Sequence, residues 1–133
     1  MKRTVLLLVL LAGLSVPSSA LAASVYEGYS NVGSVNRSYG DRYDVKAGYS
    51  KIGYVKRSYG ERWDTYEGYR KVGYAKRSYG ERFDVYSGYR KVGYVKRSYS
   101  GRWDIFEGYR KIGYVSGGTG GPAGGAALLL LIG

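Results

Sequence analysis

The residues best equipped for chemistry in this chain are a basic-aromatic motif that returns every 20 positions. Lys56-Arg57-Ser58-Tyr59, Lys76-Arg77-Ser78-Tyr79 and Lys96-Arg97-Ser98-Tyr99 each set two cations beside a phenol, and Asn36-Arg37-Ser38-Tyr39 is a weaker copy. Cations next to aromatic rings pair with phosphate, sulfate or carboxylate while the rings stack on sugars or bases. Lys56, Arg57, Tyr59, Lys76, Arg77, Tyr79, Lys96, Arg97 and Tyr99 therefore form a candidate anion-binding set. The partner such a set would take is an anionic polymer, either an acidic polysaccharide at a cell surface or a nucleic acid. The competing explanation is a series of solvated turns whose charges keep strand edges from pairing with other chains.

Other chemistries are poorly supplied. The chain has no His and no Cys, which excludes Cys-His and Ser-His-Asp nucleophiles and the usual zinc sites. Asp44, Asp64, Asp84 and Asp104 follow Arg42, Arg62, Arg82 and Arg102 by two residues. On a strand each such pair shares a face, so each carboxylate has a basic neighbour and reads as a surface ion pair rather than one corner of a cation or sugar site. Catalysis needs unlike groups to converge, whereas near-identical units place the same group at every position. No catalytic, metal or cofactor-binding residue is expected, and the protein is not expected to be an enzyme or to present a small-molecule substrate site.

The elements that must carry the motif follow from the repeat itself. YEGYSNVGSV (26-35), KAGYSKIGYV (46-55), YEGYRKVGYA (66-75), YSGYRKVGYV (86-95) and FEGYRKIGYV (106-115) recur without insertion or deletion. In one copy, Arg62 to Tyr66 and Lys71 to Arg77 alternate aromatic or β-branched residues with small or polar ones, the pattern of two short strands. Glu67-Gly68-Tyr69-Arg70 between them predicts a hairpin loop of about four residues, and Ser78-Tyr79-Gly80-Glu81 a looser turn into the next copy. The second strand of each copy also holds an invariant glycine, at positions 33, 53, 73, 93 and 113, preceded by Val or Ile. Glycine inside a strand points to a bulge or to close approach of other atoms.

There are five hairpins but four connectors (36-44, 56-64, 76-84 and 96-104), the count a closed ring requires. The predicted fold class is all-β: five 20-residue β-hairpins, residues 23-115, in a closed pseudo-five-fold ring. Two flanking segments complete the organisation. Lys2 and Arg3, the apolar stretch Val5 to Leu14 and Ala20-Leu21-Ala22 have the layout of a signal peptide over residues 1-22, cleaved before Ala23; the apolar run is well short of the roughly 20 residues a spanning helix needs. The expected location is therefore periplasmic or extracellular. After the repeats, residues 116-125 read as a flexible Gly-rich linker and 126-133 as an apolar strand. Seven residues from Ala126 to Ile132 are too few to span a bilayer, so this segment is expected to plug the hole a ring of hairpins leaves, with a sorting or membrane-contact tail as the alternative. Removing the signal leaves 19 cations and 10 carboxylates, a net charge of +9 that draws the protein to anionic surfaces.

Five copies of G-Y-x-x-[VI]-G-x-[VA], a signal peptide before them and an A-A-L-L-L-L tail after them resemble the small exported bacterial proteins called five-fold beta-flower proteins. The resemblance covers essentially the whole mature chain. It implies hairpins arranged with pseudo-five-fold symmetry about a central C-terminal strand, in a family with no established activity, so it assigns no functional residues. The function expected is that of a secreted or periplasmic, non-enzymatic structural or interaction protein. Binding of an anionic polymer through the K-R-S-Y segments is one alternative, and a Tyr/Gly-rich adhesive or matrix material is another.

Overall fold

The computed structural model describes residues 22-117 and 120-132. The signal-peptide reading for residues 1-22 lies outside these apart from Ala22, which is already part of the first strand.

Ten antiparallel strands close into a barrel in which every strand pairs with its sequence neighbours and β1 pairs with β10. They are β1 Ala22–Glu27, β2 Ser30–Arg37, β3 Arg42–Ala47, β4 Ser50–Arg57, β5 Arg62–Glu67, β6 Arg70–Arg77, β7 Arg82–Ser87, β8 Arg90–Arg97, β9 Trp103–Glu107 and β10 Arg110–Ser116. Closure removes the two open edges that an isolated row of hairpins would expose. The predicted ring of five hairpins is thus present. Its hairpin turns gather at one end, here called the tip end, and its connectors at the other, the connector end.

Alternation drives the packing. Val25, Val35, Val45, Val55, Val85, Val95, Ile105 and Val115 point inward and are fully buried, while the residues between them face outward. The hairpin turns are tighter than the four residues expected: Glu67 pairs with Arg70, leaving Gly68-Tyr69 alone as the turn. Gly68 has φ +65°, as the first central position of a type II′ turn demands. A polar Glu and Arg look like loop in sequence, but paired across the hairpin they also bridge at 3.3 Å.

One step inward from each tip the register slips, between Val25 and Tyr26 in the first hairpin and at equivalent places in the others. This bulge occurs at the invariant Val/Ile-Gly pair. The glycine is needed for close approach: a Cβ on Gly33 would lie 2.5 Å from the carbonyl oxygen of Lys46 and 2.8 Å from Cδ1 of Ile132.

The barrel is filled along its axis by α1, Gly121–Ala127, continued by a single π-helical stretch, Leu128–Ile132. The plug is in place, but it is helical rather than the strand expected, and half of the predicted flexible linker is part of it. The reason lies in hydrogen bonding. Every wall strand already has two partners, so an axial strand would bury its own N–H and C=O groups unpaired, whereas a helix satisfies them internally. Pro122 falls in the first turn, where its missing N–H costs nothing.

Wall and plug are matched in size, level by level. At the connector end the wall carries Tyr43, Trp63, Phe83 and Trp103, and the plug there is glycine and alanine; a Cβ on Gly121 would fall on the Trp103 indole and one on Gly124 would lie 2.7 Å from Val115. Nearer the tips the wall is glycine and the plug is large. Ile132 abuts Gly33, Leu131 Gly53, Leu130 Gly73 and Leu129 Gly93, one plug residue for each successive hairpin. An α-helix turns about 100° per residue, but five equivalent hairpins are about 72° apart. The wider i→i+5 winding of a π-helix turns less per residue, and so brings consecutive side chains to consecutive hairpins.

One interior residue breaks the apolar pattern. Thr65 is fully buried where other copies carry Val or Ile, and its hydroxyl has no hydrogen-bond partner among the described residues. An unpaired buried polar group costs about 1–3 kcal/mol. Thr65→Val is therefore expected to raise the thermal midpoint by several degrees; an unchanged or lower midpoint in a calorimetric scan would refute this.

Candidate functional site

With the axis filled, what remains to act on other molecules is the outer surface. Three zones divide it.

The middle zone is a girdle of repeated aromatic and ionic contacts. Asp64 accepts a hydrogen bond from Arg62 Nε at 3.0 Å and an ion pair from Lys71 at 3.3 Å, and the Arg62 guanidinium lies 3.9 Å from the Tyr74 ring centroid. Tyr74 in turn stacks on Tyr86 at 5.0 Å. Asp44, Asp84 and Asp104 are held in the same way by Arg42 with Lys51, Arg82 with Lys91, and Arg102 with Lys111. Desolvation lowers the pKa of Arg82, but the hydrogen bond and charge of Asp84, with the phenols of Tyr79 and Tyr94, raise it by more and leave it above its ordinary value. Each carboxylate is thus taken up by two cations. The shared face of Arg and Asp follows from their spacing, whereas the Lys and the ring come from the neighbouring strand and need the register to be known. Copy one lacks this unit, with Ala22, Ser24, Asn31 and Ser34 at the corresponding places.

Charge is distributed unevenly along the barrel axis. The girdle carries four Arg, four Lys and four Asp, so its cations outnumber its carboxylates two to one. Segments 36-41, 56-61, 76-81 and 96-101 at the connector end hold seven cations and three carboxylates. Around the hairpin turns, apart from the lysines that reach back to the girdle, stand Lys46, Arg70, Arg90 and Arg110 against Glu27, Glu67 and Glu107. The excess of cations over carboxylates in residues 23-115 is therefore carried mainly by the connector end and the girdle.

The K-R-S-Y residues all come to the connector end, on the last residues of β4, β6 and β8 and the turns that follow. They are not equivalent in what they do there. Arg77 pairs with Glu61 at 3.0 Å and Arg97 with Glu81 at 3.3 Å, so each ties its connector to the preceding one. Arg57 lies over the Trp63 ring, 6.0 Å from its centroid. Tyr79 receives a 3.5 Å contact from Arg82. Lys56, Lys76 and Lys96 are exposed and make no ion pair among the described residues, and Tyr59 and Tyr99 are 93% and 109% exposed. The lysines and these two phenols are the part of the set available to a ligand; the arginines position the loops. A groove of about 570 Å³ is lined there by Glu81, Lys96, Arg97, Ser98, Tyr99, Asp104 and Phe106.

The hairpin tips hold residues that sequence reasoning used only as turn formers. Tyr29, Tyr49, Tyr69, Tyr89 and Tyr109, between 96 and 103% exposed, follow the turn glycines. Their signal was the fixed Gly-Tyr pair at 20-residue spacing.

No family model, curated protein or solved structure matches this chain. Among the described residues no helix is long and apolar enough to cross a membrane.

Proposed function

We propose that this protein is an exported, non-enzymatic interaction module of beta-flower type whose connector end binds an anionic polysaccharide. The observation that supports this most is the row of unpaired lysines, Lys56, Lys76 and Lys96, set beside the exposed phenols of Tyr59 and Tyr99 at one charged end of a filled barrel. A repeated cation at fixed spacing suits a polymer that itself repeats its charge, and phenol faces suit sugar rings. The ion-paired Arg77 and Arg97 hold the loops in place, so little ordering cost falls on binding.

Binding of the mature chain to immobilised heparin, compared with neutral dextran, tests the reading. Retention on heparin is expected to fall steeply with salt, as counterion release dictates for polyelectrolytes. The variant Lys56→Gln/Lys76→Gln/Lys96→Gln is expected to lose at least tenfold in affinity with its melting temperature nearly unchanged. No binding at low salt would overturn the proposal, as would binding indifferent to the three substitutions. Tighter binding to single-stranded DNA than to heparin would reassign the polymer.

A further inference from the structure

The tip end has a different chemistry from the connector end, and we propose that it is a membrane-docking surface that rests on bilayers containing anionic phospholipid. Three independent features meet there.

The first is the set of five tip tyrosines. The second central position of a two-residue turn has no packing need for an aromatic residue. Among the described residues none of the five makes a hydrogen bond, ring contact or cation contact, in contrast to Tyr39 and Tyr79 at the connectors, which lie against Arg42 and Arg82. Copy one lacks the girdle residues, with Ala22, Ser24, Asn31 and Ser34 in place of Arg, Asp, Lys and Tyr, and yet keeps Tyr29. A phenol is an amphipathic group that partitions to the headgroup level of a bilayer, with its ring among the acyl boundary and its hydroxyl in water.

The second feature is the apolar mouth these tips surround. Leu129, Leu130, Leu131 and Ile132 end the plug at the level of the strand glycines and remain partly exposed, next to the partly buried Val32, Ile52, Val92 and Ile112.

Third is charge. Around the turns Arg90 and Lys46 make no ion pair among the described residues, Arg70 and Arg110 pair with exposed Glu67 and Glu107, and Lys51, Lys71, Lys91 and Lys111, which reach back to the girdle, are among the other cations near this end. Cations encircling an apolar, phenol-ringed end complement an anionic lipid surface, each near-surface cation adding to attraction. The five-point ring holds the barrel axis upright on a plane. It also leaves the connector end facing away, free for a polymer.

Co-sedimentation of the mature protein with phosphatidylcholine vesicles, with and without phosphatidylglycerol, tests the assignment. Binding is expected with phosphatidylglycerol and to be weak without it. Arg70→Gln/Arg90→Gln/Arg110→Gln is expected to lower partitioning about a hundredfold at low salt, and Tyr69→Ser/Tyr89→Ser/Tyr109→Ser at least tenfold. Both variants change exposed positions, so their melts should match the parent, and their heparin retention should stay within about twofold. The connector variant with three Lys→Gln changes should keep its vesicle binding. Absence of binding to phosphatidylglycerol vesicles would overturn the proposal. So would binding that survives both tip variants, or that is lost in the connector variant; none of these outcomes bears on heparin binding.

Discussion

A chain that stops at Ala127 is expected to lose its sharp unfolding transition altogether. Leu128 is 1% exposed, and a fully buried Leu contributes about 1.5–3 kcal/mol; Leu129 to Ile132 are only partly buried and add less each. Removing all five also leaves the wall glycines facing an empty axis, and unfilled volume costs further stability beyond the lost transfer energy. Together these losses approach the whole stability of a domain this size, about 5–15 kcal/mol. The truncated chain should retain β-type far-ultraviolet signal, bind a hydrophobic dye and melt broadly, the behaviour of a collapsed state without fixed packing. A parent-like melt from this truncation would show that the barrel holds itself closed and that the tail is cargo. Leu128→Ala alone, at about 2–5 kcal/mol, provides a graded version of the same measurement.

The second large effect is expected at the strand glycines. A methyl on Gly93 would collide with the carbonyl oxygen of Phe106 on the neighbouring strand and sit 3.1 Å from Leu129 Cδ1. Backbone in a closed barrel has little room to retreat, so Gly93→Ala should cost about 3 kcal/mol, the upper part of the range for overpacking. The turn glycine Gly88 is a useful contrast. It has φ +66° with nothing within 4 Å of its would-be Cβ, so Gly88→Ala meets only the backbone strain of a positive φ, about 1–3 kcal/mol, with no collision added. Denaturant unfolding of the two variants should rank Gly93→Ala as the more damaging. The reverse order would mean that wall and plug are not in register as described.

Much of this was legible from the residues. The 20-residue period, the alternation in Val85 and Val95 and the turn glycines specify hairpins, because strand and turn chemistry are local. Five hairpins with four connectors suit a ring but equally an open row, and it is the pairing of β1 with β10 that closes the barrel. The site was half legible. Lys56, Lys76 and Lys96 emerge at the surface as their composition implies, but the pairing of Arg77 to Glu61 depends on two connectors 16 residues apart lying side by side. The Lys71 and Tyr74 contributions to the girdle likewise depend on register between strands.

The tail was misread for a reason that local pattern cannot repair. A five-residue apolar run has no resolvable periodicity, and Gly121, Gly124 and Gly125 disfavour helix by about 1 kcal/mol each in isolation. By itself, then, the sequence determined the repeating hairpins and the recurring K-R-S-Y cations, because each rests on short-range patterns multiplied by an unbroken period, whereas closure of the ring rests on β1 pairing with β10 at opposite ends of the repeats. Only the tertiary structure decided that the greasy end becomes a helix and that its glycines are spacers rather than hinges. Inside a closed wall an axial segment has no backbone partners but its own, and helix is the conformation that supplies them.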